Sequence, residues 1–187
     1  MKVAVAGMEQ SIRALAPVCQ DAPQTGDVPW RLLLSAAQSG HVPSMTRFVT
    51  SGATHSGIEW DVEALAAYRT FAMPFLSQAA AAGDVSAIET LGKEHLETSH
   101  GTRAVPFDPV RGRAYLMALY QSAAPGYRER LKNEIENGTR SARLDDAEVR
   151  AADAMAPTLL PPNLARNAAG EIEKPDAKAD GVSGCDT

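Results

Sequence analysis

WRLLLSAAQSGHVPSMTRFV, residues 30–49, and MPFLSQAAAAGDVSAIETLG, residues 73–92, align without a gap at an offset of 43 residues. Leu33 falls on Leu76, Ala36-Ala37 on Ala79-Ala80, Gly40 on Gly83 and Val42 on Val85. A period of about 40 to 47 residues is that of helical-repeat arrays. Each copy carries two apolar pairs one helical turn apart, Leu32-Leu33 with Ala36-Ala37 and Phe75-Leu76 with Ala79-Ala80, so both pairs share one helix face. The glycine then predicts a helix end, because glycine takes the left-handed conformation without a steric cost. Asp84 suits the N-cap of the next helix, and Pro43 suits the first turn of its counterpart. Met45, Phe48 and Val49 in one second helix, and Ile88, Leu91 and His95 in the other, recur at three- and four-residue spacing and are expected to face inward.

A second correspondence lies beyond each pair. Asp61 stands six residues before Ala67-Tyr68, and Asp108 six residues before Ala114-Tyr115. The offset here is 47, so the preceding loop is four residues longer in the second copy, an insertion that loops tolerate. Each Asp reads as the N-cap of a further helix, with Ala-Tyr nearly two turns inside.

Met73-Pro74 predicts a break, with Pro74 opening a new helix; a single kinked helix from Asp61 to Ala82 is the alternative. Pro125-Gly126 is expected to close the following helix in the same way. Tyr127–Asn137 reads as a charged helix with Arg130–Glu134 and Lys132–Glu136 as pairs four residues apart. Asn137-Gly138-Thr139 reads as its end rather than as a glycan site. Leu144–Met155, with Asp145 and Asp146 in its first turn, suits a closing helix whose inner side is Leu144, Ala147, Ala151 and Ala154, stopped by Pro161-Pro162. From Asn163 to Thr187 the only large aliphatic residues are Leu164, Ile172 and Val182, a composition that predicts disorder. The expected organisation is an N-terminal helix and linker over 1–28, a helical repeat domain over 29–160 and a disordered tail over 161–187.

Gly83-Asp84-Val85-Ser86-Ala87, then Leu91-Gly92, then Asp108 and Ala114-Tyr115, resembles the Sel1-like repeat, a relative of the tetratricopeptide repeat. In that family an Ala-Ala pair and Gly precede a helix containing Leu-Gly, and an Asp opens a partner helix with an aromatic residue. The resemblance spans Trp30 to Ala124, about half the chain. The first copy departs from it, with Phe48-Val49 in place of Leu-Gly, and Ala67-Tyr68 stands about two helical turns too far from Ala79-Ala80. The resemblance implies an all-α fold, a short array of α-α hairpin repeats with closing helices, and a protein-binding or adaptor function without shared catalytic residues.

Composition narrows the function classes. With 18 basic and 23 acidic residues the net charge is -5, without the basic face that phosphate binding requires, so a nucleic-acid partner is not expected. No stretch reaches the roughly 18 to 20 apolar residues of a membrane span. Lys2 and the apolar run Val3–Met8 are cut short by Glu9, which favours the cytoplasm over export; the periplasm is the alternative if the chain is a processed form. Cys19 and Cys185, at opposite ends, read as two unpaired thiols rather than a disulfide.

The densest polar cluster is Lys93-Glu94-His95-Leu96-Glu97-Thr98-Ser99-His100. His95 and His100, five apart, point about 140° away from one another on a helix, unlike the one-face spacing of HExxH, so no metal is expected. No Gly-rich phosphate loop is present, since Gly92-Lys93 lacks the preceding glycine and a strand before it, and the nearest approach to a serine elbow, Gly181-Val182-Ser183-Gly184, lies in the tail expected to be disordered, so no cofactor is expected either. Tyr68, Tyr115, His95 and Trp60 are the candidate partner-binding residues; core packing is the competing role for both tyrosines and for Trp30 and Trp60. The expected function is a non-catalytic binder of a protein or peptide. An immunity-type inhibitor with an acidic face is the first alternative, and an enzyme built around His95, Glu94 and Glu97 the second.

Overall fold

A computed structural model of the chain describes residues 29–52, 62–97, 105–166 and 168–175. They form seven α-helices: α1 (Pro29–Gln38), α2 (Val42–Gly52), α3 (Val62–Ala81), α4 (Val85–Leu96), α5 (Pro109–Ser122), α6 (Pro125–Ala142) and α7 (Asp146–Met155), with a single 3-10 turn at Ala156–Thr158. No strand occurs among the described residues. The expected N-terminal helix over 1–28 lies outside them, as do Trp60, the Asp61 cap, His100 and both cysteines.

The two glycines make the same turn. Gly40 and Gly83 have φ of +93° and +90°. The Gly40 N–H bonds Ala37 O at 3.0 Å and the His41 N–H bonds Ala36 O at 3.1 Å, while Gly83 to Ala80 and Asp84 to Ala79 repeat the pattern at 3.0 Å each. These crossed bonds satisfy carbonyls that the helix end would otherwise orphan. Asp84 then caps α4, accepting from the Ala87 N–H at 3.1 Å, and Asp108 caps α5, accepting from Arg111 at 3.0 Å.

Successive helices pack on their neighbours: α2 on α1 and α3, α4 on α3 and α5, and α6 on α5; α7 folds back onto α5. The inward residues read from the periodicity hold their places, with Met45, Phe48, Val49, Ile88, Leu91 and His95 all buried. Phe48 links the first pair to α3, its ring centroid 6.3 Å from that of Tyr68 and 5.6 Å, edge-on, from that of Phe75. The α4–α5 crossing is closest, where backbone meets backbone: a Cβ on Gly112 would lie 2.7 Å from the Gly92 carbonyl oxygen. Leu-Gly therefore works as a packing notch as well as a sequence signature.

Several expectations need correction. Pro74 lies inside α3 and does not open a helix. Its ring sits on the exposed side, and the carbonyl it leaves without an N–H belongs to exposed Thr70, so the helix continues at the cost of one solvated group. Pro125, by contrast, does open a helix, α6, after Ala123 and Ala124 turn extended. Gly138 does not end that helix; it lies within α6, where a Cβ would come 2.7 Å from Leu96 Cδ1, so its small size serves helix packing. The helix ends instead at Arg143, which is left-handed with φ 56°.

In α7 the inner side is Ala152 with half-buried Val149 and Asp153, while Ala147, Ala151 and Ala154 are exposed. Alanines lie all round this helix and cannot fix its rotation; the Asp145–Glu148 capping box and a contact from Arg113 to Asp153 do so. The helix gives way to the 3-10 turn at Ala156-Pro157, before Pro161-Pro162 is reached.

The segment expected to be disordered is in part packed. Leu164 and Ile172 are buried, and the Asn163 Nδ2 donates to Ala82 O at 3.0 Å at the end of α3. Two apolar anchors and backbone groups offered by the helical body suffice where average composition argues for disorder. Residues 176–187 lie outside the described residues.

Candidate functional site

The junction of α4 and α5 gathers most of the polar chemistry. His95, at the end of α4, is 2% exposed, and its Nδ1 donates to Pro106 O at 2.7 Å. The Asp108 N–H bonds His95 O at 3.2 Å, so side chain and backbone of one residue together hold the segment that leads into α5. The imidazole lies parallel to the Tyr115 ring, with centroids 6.1 Å apart and planes at 6°. Tyr115 is half-buried, and Phe107, next to Pro106, is 45% exposed. His95 thus ties a corner together: Tyr115 lies parallel to its ring, and its bonds to Pro106 and Asp108 fix the backbone on both sides of Phe107.

Six residues earlier on the same helix, about 9 Å along its axis, lies the second feature. Glu89 is buried and accepts from Tyr127 Oη at 2.9 Å, from Arg130 Nη1 at 2.7 Å and from Arg130 Nη2. Lys93 adds an ion pair at 2.8 Å and reaches Glu134 of α6 at 3.2 Å. Burial alone would raise the Glu89 carboxyl, but the hydrogen bonds from Arg130 and Lys93 outweigh it and bring it down to about 2. Burial and the Glu89 charge push the Tyr127 phenol well above its usual range. A carboxylate so held is a clamp between α4 and α6: its oxygens are already engaged by three side chains.

A similar clamp fixes α7. Arg113 donates from Nε to Asp153 at 3.1 Å and from Nη1 to Thr139 Oγ1 at 2.9 Å, joining α5, α6 and α7. Position 46, which aligns with position 89 across the 43-residue offset, makes a smaller link of the same kind, Thr46 Oγ1 donating to Asp84 Oδ2 at 2.9 Å.

Of the four candidate binding residues, the structure brings two together, His95 and Tyr115. Tyr68 lies in the core at 2% exposure, its hydroxyl pushed up to about 12 by burial and, secondarily, by the charge of Glu94. That burial is the packing role named for Tyr68 in the sequence, and inward-facing Ala64 and Ala72 share its side of α3. Trp60 is outside the described residues. Glu94 is half-buried and Glu97 exposed, on either side of buried His95 in the chain. Among the described residues no group of three or more His, Cys, Asp or Glu is placed to hold a metal ion, and no helix is long and apolar enough to cross a membrane.

Sequence reasoning missed Glu89 and Arg113. Glu89 stood between Ile88 and Leu91, both inward, and a charge at that register is the signal that could have found it. Arg130, expected to pair with Glu134, feels its charge, but its bonds go to Glu89 and the ion pair of Glu134 to Lys93. Compared with protein-family models, curated proteins and solved structures, the chain matches none.

Proposed function

We propose that the chain is a non-catalytic protein-binding module, a diverged relative of the Sel1-like repeats, and that the His95–Tyr115–Phe107 corner is part of its contact surface. The observation that carries this reading is the corner itself: a half-buried Tyr115 and a 45% exposed Phe107 on a support fixed by His95. Large aromatics held rigidly at a surface lose little entropy when a partner covers them, which is why they dominate protein contacts. The helix pairs support the reading too, since stacked pairs offer their rims to other chains. The polar residues of the interior serve as links between helices, a role that suits a scaffold.

The test is capture of partners from native extract by photo-crosslinking from position 107, with Phe107→Glu in the full chain as the control. The expected result is one protein recovered by the native chain and lost with Phe107→Glu, while the circular-dichroism spectrum stays the same. Equal recovery with both chains would remove the corner from the contact surface, and recovery of no protein would sink the binding reading.

A further inference from the structure

We propose that the gap between α5 and α6 at Ser122–Ala124 is a seat for an extended peptide. In this chain its own Glu171–Glu173 fills that seat, and a partner segment of the same chemistry, a branched aliphatic residue between acidic ones, exchanges with it. The proposal rests on the protein-binding reading and gives it a ligand class.

α5 stops at Ser122 and α6 starts at Pro125, with Ala123 and Ala124 extended between them. A helix interrupted in this way leaves carbonyls at one end and N–H groups at the other without intrahelical partners. Ile172 takes one of each: its N–H donates to Ser122 O at 2.7 Å, and its carbonyl accepts from the Ala124 N–H at 2.9 Å. The two bonds flank Ala123 and make a one-residue parallel bridge. This is how an added strand binds a receptor edge, with backbone bonds for affinity and alternate side chains for specificity.

The side chains obey that division. Ile172 is completely buried, whereas Glu173 beside it is exposed and Glu171 half-buried. The seat itself is lined by small residues, Ala123 and Ala124, both buried, which leave room for a branched side chain. Arg128 holds the other edge of the extended stretch, its guanidinium donating to Ala123 O at 2.7 Å, which leaves Ser122 O and Ala124 N–H to face Ile172.

The cis occupant buries few side chains. From Asn163 to Pro175 the buried side chains are Leu164 and Ile172 alone among the described residues, and the span contains no helix. Arg166 folds it back through a bond to Gly170 O at 2.9 Å. A segment with so few buried side chains and no helix opens at a smaller free energy than the helical body. While in place it competes as an intramolecular ligand at an effective concentration on the order of millimolar, so a partner in trans binds the intact chain weakly.

The experiment uses the full chain and a fluorescein-labelled peptide, AAGEIEKP, copied from residues 168–175. Anisotropy should show the peptide binding Ile172→Asp at least tenfold more tightly than the native chain. A peptide with Asp in place of Ile should bind neither. In the native chain, hydrogen exchange should release the Ile172 and Ala124 amides at least a hundredfold faster than those of Leu119 and Leu131. A folded Ile172→Asp that binds no peptide would overturn the proposal. So would seat amides as protected as the core, which would make the segment an integral part of the fold even if Ile172→Asp fails to fold. Should the seat fail while a Phe107-dependent partner is still captured, the protein-binding reading survives without it; failure of both removes both.

Discussion

α3 runs through Pro74 and becomes the opening helix of the second pair, whereas the corresponding helix from Asp108 stops at Ser122 and a new one starts at Pro125. Both stretches carry an inward row four residues apart, Tyr68, Ala72 and Leu76 in one and Leu119, Ala123 and Tyr127 in the other. Side-chain packing therefore does not decide between them. The difference lies in what meets the freed backbone. At the second site Ile172 bonds the groups on both sides of the break. At the first, the helix keeps its own bonds and surrenders only the one that proline cannot make.

The two units also differ in how firmly their second helices are tied to neighbouring elements, and that difference can be broken by substitution. The largest effect is expected at the Glu89 clamp. Glu89→Gln removes the buried carboxylate that Arg130 and Lys93 share, leaving them only the more exposed Glu134, and should cost about 3 kcal/mol at neutral pH, measured by denaturant unfolding. Thr46→Val, at the equivalent position, should cost about 1 kcal/mol. The clamp predicts a pH signature as well. The Glu89 carboxyl lies at about 2 in the folded chain against 4.5 when unperturbed, so its contribution is complete above about pH 4.5 and is lost as pH falls towards 2. The stability gap between the native chain and Glu89→Gln should close over that window; a gap that stays constant would show that the carboxylate is not the source.

At the twin turns the expected losses are smaller, about 2 kcal/mol for Gly83→Val and about 1 for Gly40→Val. Both positions have positive φ, but a Cβ at Gly83 would also lie 3.3 Å from the Asn163 carbonyl oxygen, while nothing stands within 4 Å at Gly40. Equal losses of melting temperature would mean that the crossing segment does not weigh on the second turn. The prolines add one contrast of that same size and the smallest effect of all. Pro74→Ala should raise stability by about 1 kcal/mol by restoring a helix bond, and Pro125→Ala should leave it nearly unchanged, because a first-turn residue needs no N–H partner.

The features legible in the sequence were those with a local cause. Gly40, Gly83, Asp84 and Asp108 act on the residues beside them, and the inward rows of α2 and α4 arise from three- and four-residue spacing, so each was readable without knowledge of the rest. What escaped depends on distant neighbours. Gly138 reads as a stop until Leu96 is known to lie against it, and Pro74 reads as a break until its exposed setting is known. The alanines of α7 carry too little contrast to orient the helix, and Leu164 and Ile172 gain their meaning from the backbone they meet. At the candidate corner, His95 and Tyr115 were readable as residues of interest, but their stacking requires α4 and α5 to cross at Gly92 and Gly112, which spacing along the chain does not reveal.

The continuity of α3 bears on how this architecture can be recombined. One helix follows the first helix pair and opens the second, so the 43-residue correspondence in the sequence does not mark a seam along which the molecule comes apart. A unit moved to another protein would carry half a helix with it and leave the other half behind. Permutation, grafting or fragment complementation should instead place its cut at an exposed turn such as Ser39–Gly40, where no helix is divided.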